Sequence, residues 1–339
     1  MKQKLLPQSL GLLSLAGSLF AATASASDFC TRTAEAAFRA CTTEAAADRY
    51  KTDGICINVS DEEEREDCFE DAAKTRSEET ALCGKQRTSR LALCKVLGEG
   101  RYDPDFDPSL FDKDFASLTH PNRYFPLTIG HKWEYAGGDE TVTIEVLQRT
   151  KLIEGVTCIV VNDQAFVGGE LVENTDDWFA HATNGDVYYC GEEVKDFESF
   201  DGDQPKLPEL VSIDGSFKAG RDGDKPGIIF LANPKKGAVY RQEFSLANAE
   251  DFSQVLSTAY SFGSDSTLDQ FVPRALARML CERNCIVTKE SNPNEPGTFE
   301  HKYYALDIGF FLAVNLPKKE TLQLVNCNFD HRCRALPKP

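Results

Sequence analysis

Hydrophobic and polar positions change their rhythm near residue 100. Upstream, Phe29 to Tyr50 is Ala-rich with no internal Gly or Pro, and after a loop holding Gly54 a helical composition resumes from Arg65 to Leu97, with Gly84 its one weak point. Two such runs predict two α-helices packed as an antiparallel hairpin. Ser60 and Glu63 stand at capping-box spacing and place the second helix start near Asp61. Acidic residues at 61–64 and basic Lys85, Arg87, Arg90 and Lys95 late in the run agree with the helix macrodipole.

From Tyr124 the period is that of β-structure. Thr141 to Val146 alternates strictly, Val156 to Val161 reads as a strand buried on both faces, and Gly turns recur at Gly155, Gly168-Gly169, Gly185 and Gly215. Further strands are expected over 227–231, 238–244, 285–289, 301–306 and 310–315, with one helix over 271–281 that tolerates Pro273 in its first turn. Strands without βαβ alternation place the chain in the α+β class. The expected fold is a disulfide-stapled helical hairpin followed by a mainly antiparallel β domain, a curved sheet or barrel. The divisions are a signal peptide at 1–26, the hairpin at 27–98, an Asp/Pro linker at 99–124, the β domain at 125–316 and a Cys-containing tail at 317–339.

The leader changes the compartment. Lys2 and Lys4 precede an apolar stretch from Leu5 to Phe20, and Ala24-Ser25-Ala26 suits a signal peptidase. The first cysteine, Cys30, stands too far beyond those small residues for a lipid anchor, so the product is expected in the periplasm or outside the cell, with no membrane span. With 54 acidic against 37 basic residues and a net charge of −17, nucleic acid is excluded as a partner by repulsion.

All 12 cysteines follow the leader, and none forms a Cys-x-x-Cys pair, which favours six disulfides over metal clusters. Cys30 and Cys41 are eleven apart, as are Cys83 and Cys94, a spacing that returns to one helix face. Facing residues of an antiparallel pair keep a constant index sum. One value, 124, satisfies Cys30 with Cys94, Cys41 with Cys83 and Cys56 with Cys68, with Cys56 expected in an extended return. Among the rest, strand positions favour Cys158 with Cys285, and a local loop favours Cys327 with Cys333.

The linker holds Asp103, Asp105, Asp107 and Asp114 at spacings that partly imitate a calcium loop. Pro108 stands where the sharp turn needs Gly, and Asp114 replaces the longer bidentate Glu. An extended linker pinned by Phe106, Phe111 and Phe115 is the expected outcome. No cofactor is expected.

Phe125-Pro126-Leu127 through Trp133-Glu134-Tyr135, Gly155 to Cys158, Thr175 to Ala180, Pro226 to Ile229 and Tyr240 to Phe244 form a set of strand and turn signatures. Over about residues 125–315 the chain resembles a group of uncharacterised exported bacterial proteins with a Cys-rich N-terminal helical region and a β-rich domain. At the level of fold it is similar to exported lipid- and lipoprotein-handling domains on a curved antiparallel sheet. The resemblance implies no particular activity.

Signatures of Ser hydrolases, zinc proteases, phosphate loops and dinucleotide sites are absent from the sequence, and none of the five histidines is three or four residues from another. Asn184-Gly185 is the strongest hairpin signal. A two-residue turn there sets Asp177 opposite Glu192, Phe179 opposite Cys190 and His181 opposite Tyr188. Opposed carboxylates need water or a cation between them, so this face, carrying Asp177, Phe179, His181, Tyr188 and Glu192, is the candidate binding surface for a cationic or neutral ligand. The functional expectation is an exported, non-enzymatic ligand- or partner-binding protein. The alternative is an exported hydrolase with an unrecognised site.

Overall fold

A computed structural model describes residues 28–339, and the leader expected over 1–26 lies outside the described residues. Two helices open the described chain, α1 (Phe29–Cys56) and α2 (Glu62–Leu97). Asp61, rather than Ser60, caps α2, its Oδ1 accepting the Glu64 N–H at 3.0 Å. Helix α1 runs through Gly54, so Cys56 sits in its last turn and not in an extended return.

The buried apolar residues of the two helices are four alanines, Leu93 and three cysteines. That is too little apolar area to hold long helices together, since large aliphatic side chains contribute about 1.5–3 kcal/mol each and alanine much less. Bridges Cys30–Cys94, Cys41–Cys83 and Cys56–Cys68 supply the restraint, with Cα separations of 5.6, 5.8 and 5.6 Å. Because the first encloses the other two, their entropic contributions overlap and do not add.

An antiparallel meander follows: β1 (Lys132–Gly137), β2 (Glu140–Ile153), β3 (Val156–Val167), β4 (Glu170–His181) and β5 (Val187–Glu193). Short strands β6 (Asp196–Glu198), β7 (Glu209–Ser212) and β8 (Phe217–Lys218) flank it. Then come β9 (Lys225–Phe230), β10 (Val239–Arg241), β11 (Glu243–Phe244) and β12 (Phe252–Tyr260). After α3 (Arg274–Leu280), the chain ends with β13 (Cys285–Ser291), β14 (Glu300–Ala305), β15 (Gly309–Asn315) and β16 (Glu320–Cys327). The sheet runs β10-β12-β13-β14-β15-β16-β1-β2-β3-β4-β5-β9-β11. Since β10 and β11 are separated only by Gln242, the two ends of the sheet meet there and the barrel is nearly closed.

Two segments differ from expectation. Residues 320–327, expected as a tail, form β16 and pair with both β15 and β1. Strand β12 escapes a period-two reading because irregularities at Val255/Ser257 and Ser257/Tyr260 break its alternation. The expected Cys158–Cys285 bridge is also corrected: Cys158 bonds Cys190, Cys281 bonds Cys285, and Cys327 bonds Cys333. β3 and β13 lie on opposite sides of the barrel, whereas β3 and β5 both pair with β4.

The first half of β3, Val156 to Val161, is apolar apart from Thr157 because both its faces are covered. Ile159 and Val161 point into the main core, while Val156, Cys158 and Val160 join an outer cluster with Trp178, Ala180 and Phe111. Phe106 and Phe111 of the linker close that outer cluster, the first tilted and the second edge-on against Tyr188 at centroid distances of 6.3 and 5.0 Å.

The hairpin is tied to the barrel through charge. Arg90 reaches Glu250 at 2.5 Å, with side chains 5% and 2% exposed, and also donates to Asn294 Oδ1. Gln86 Nε2 donates to the Asn294 carbonyl at 2.9 Å. Removing one member of a buried pair strands the other's charge, at about 3–5 kcal/mol. Urea unfolding with disulfides intact should therefore show Arg90→Met destabilised by about that amount, and the Arg90→Met/Glu250→Gln double variant recovering much of it. A single-variant cost below about 1 kcal/mol, the range of exposed pairs, would show that the contact does not hold the hairpin.

Candidate functional site

The β4–β5 hairpin decides which side chains enter the barrel. Its turn is one residue longer than expected: Gly185 N–H donates to Ala182 O at 2.8 Å, and Gly185 takes φ 92°, the left-handed position of a three-residue loop. His181 therefore pairs with Val187, Ala180 with Tyr188 and Phe179 with Tyr189, correcting the expected facing of His181 with Tyr188 and of Phe179 with Cys190. A bulge at Cys190 then absorbs one residue, and beyond it Asp177 faces Glu192 as expected. Without that bulge Glu192 would point outward.

Of the candidate surface, Asp177, Phe179 and Glu192 line an interior cavity of about 540 Å³. His181 does not. It is fully buried at the end of β4, with Nδ1 2.9 Å from Asp112 Oδ2. Tyr188 lies on the outer face beneath Phe106 and Phe111. The linker carboxylates also go separate ways: Asp103 pairs with Lys225 at 2.7 Å, Asp107 caps Ser109, Asp114 accepts from Ala116 N–H, and Asp105 stands 3.4 Å from Asp107 N. Among the described residues, no three His, Cys, Asp or Glu side chains group as metal ligands.

The cavity is chemically two-ended. One end is apolar, lined by Phe125, Leu127, Trp133, Val146 and Phe179, and Phe310 stands between the ends with Lys302 Nζ 5.8 Å from its ring centroid. Toward the other end stand nine carboxylates, Glu140, Asp163, Glu173, Asp177, Glu192, Glu243, Asp251, Glu290 and Glu300, with Lys302 as the one cationic side chain in the lining. Sequence reasoning reached two of the nine. The others have a shared signal: Asp163 follows Ile159 and Val161 at the inward period of β3, and Glu140 precedes Val142 on β2, so acids continue the core face of each strand past its apolar part.

Burial sets the electrostatics. Desolvation pushes Asp177 up to about 7 and Asp251 up to about 6, and it raises Asp163, Glu192 and Glu243 well above the ordinary carboxylate value, with neighbouring carboxylates adding to each rise and Lys302 opposing part of the rise of Asp251. The Tyr189 hydroxyl donates to Asp177 Oδ1 and opposes part of its rise. Burial works against the charge of Lys302, but Glu290, 2.8 Å away, and Glu300 outweigh it and hold its pKa above the ordinary value. At the barrel seam Gln242 is 2% exposed, and its Oε1 has no donor among the described residues. The cavity thus presents acceptors in excess of donors.

No family model matches the chain, and no curated protein matches it. A solved structure that is similar, of a protein from Parabacteroides distasonis named as a lipoprotein, is 9% identical, covering 61% of this chain and 99% of that chain at a TM-score of 0.30. The chain itself has Cys-rich N-terminal helices and a β-rich domain, as the resemblance to exported proteins implies, and no described helix is long and apolar enough to cross a membrane.

Carboxyls whose pKa is raised on folding bind more protons in the folded than in the unfolded chain between the ordinary value near 4 and the raised one near 7. Stability contributed by their protonation is therefore lost as pH rises across that window. Scanning fluorimetry should show Tm falling by several degrees from pH 5 to pH 8, each kcal/mol moving Tm by about 2–4 °C at this size. Asp177→Asn should flatten the slope. A Tm that is constant or rises over this range would contradict the buried ionisation.

Proposed function

We propose that the barrel cavity binds a small organic cation, an amine bearing an apolar group, and that the protein is an exported, non-enzymatic carrier of that ligand. The observation behind this reading is the union, in one cavity, of an acidic end and an aromatic end. An ammonium among the carboxylates offsets the cost of ionising them, donates to Gln242 Oε1, and leaves its apolar part against Phe125, Phe179 and Phe310. Six disulfides favour an oxidising compartment, in keeping with export.

Protons and the ligand compete for the same carboxylates, so affinity should rise with pH. In calorimetric titrations, phenethylamine is expected to bind at one site, at least about tenfold more tightly at pH 8 than at pH 6. The isosteric alcohol and phenylacetate should bind far more weakly, and Asp177→Asn/Glu192→Gln should reduce amine binding with little change in Tm at pH 5. Equal binding of phenylacetate, or binding by none of a panel of amines, would reject the reading, and turnover of ester or glycoside panels would replace it with a hydrolase.

A further inference from the structure

Outside the barrel, where the hairpin and the linker lie against β10 and β11, is a second cavity of about 940 Å³. It shares no lining residue with the acidic one. The break in the strand at Gln242 separates the two: Gln242 and Glu243 both line the inner cavity, while Tyr240, Arg241 and Phe244 on either side line the outer one.

Its charge is opposite to that of the whole protein. Arg90 is paired with Glu250 and Lys225 with Asp103, which leaves Arg32, Arg101 and Arg241 as the cations without an ion pair to a lining carboxylate, Glu250 acting on Arg241 and Asp103 on Arg101 only at longer range. Arg32 approaches Asp28 only at 4.0 Å on the surface, and Arg101 lies 4.1 Å over the Phe29 ring. Arg241 is the deeper one. Its guanidinium stands 5.5 Å from the Tyr102 ring centroid and 5.0 Å from that of Phe244. Its Nη1 is buried with no acceptor among the described residues. The two rings lie 5.4 Å apart and tilted against each other, so the guanidinium rests against both from one side and its Nη1 is left unpartnered.

A buried N–H without an acceptor is costly, and in a chain of net charge −17 a carboxylate partner for Arg241 would have been easy to supply. The walls beside it are apolar, from Leu97, Ile228, Tyr102 and Phe244. We infer that this cavity is a binding site for an amphipathic carboxylate, whose head is bound bidentately by Arg241 and whose apolar tail lies between the hairpin and the barrel. Arg32 and Arg101 at the hairpin side add attraction for the anion. Because the walls come from both units, an occupied site also fastens the hairpin to the barrel.

Octanoate is the probe. In titration calorimetry on the full chain it is expected to bind at one site, with inorganic phosphate, which lacks the tail, at least about tenfold weaker, and octylamine, of the wrong charge, failing to displace it. Arg241→Gln should weaken octanoate at least about tenfold and Arg241→Lys by less, with the disulfide map and Tm retained. Should Arg241→Gln fail to fold, the wild-type protein serves: octanoate should shift one arginine side-chain N–H resonance by NMR, that missing from Arg241→Lys. Absence of octanoate binding, undiminished binding by Arg241→Gln, an unmoved arginine resonance, or phosphate binding as tightly as octanoate would each overturn the assignment. None of these outcomes depends on whether amines occupy the barrel.

Discussion

The bulge at Cys190 is the constraint on which the interior depends. One extra residue on β5 turns Glu192 inward, opposite Asp177, and sets the acidic character of that part of the cavity. Two features hold it. Gly191 takes φ 139°, and a Cβ there would stand 2.3 Å from the Phe217 carbonyl oxygen, so β8 can approach only a glycine. On the outer face Cys190 itself is tied to Cys158 across β4. The outside of the barrel thereby fixes what its inside contains.

An interior built this way trades stability for acceptor capacity. Carboxylates that would be solvated and ionised in an unfolded chain are brought together in a space that favours their neutral forms, while aromatic and aliphatic packing at the other end supplies the opposing hydrophobic term. The hairpin solves a different problem with different means. Its alanine-lined interface is held by three bridges, and its attachment to the barrel rests on a buried ion pair and a few hydrogen bonds, a combination that fixes orientation more than it adds stability.

The two cavities stand on either side of the strand pair that closes the barrel. Arg241 and Phe244 line the outer cavity and Gln242 and Glu243 between them line the inner one, so a basic outer site and an acidic inner one are separated by a single layer of backbone. Opposite potentials at such short range do not cancel, because each faces its own space and its own class of ligand.

Much of this architecture was written in local pattern. The helices, the α+β class, the three hairpin bridges and most strands follow from period, spacing and turn residues, which are properties of neighbouring positions. That Asp177 and Phe179 share one face, in company with Glu192, was also legible, since alternation survives any uniform shift of register, but that this face and not the one with Trp178 and Ala180 turns into the barrel was not. The fates of His181 and Tyr188 were not, because a turn one residue longer and a compensating bulge leave no mark in hydrophobic period. Nor was the choice of Cys190 over Cys285 for Cys158, or the convergence of acids from seven strands and their flanks on one cavity with a single lysine. Those depend on which strands become neighbours when the sheet closes on itself, and barrel closure is a long-range event that no local stretch of sequence encodes.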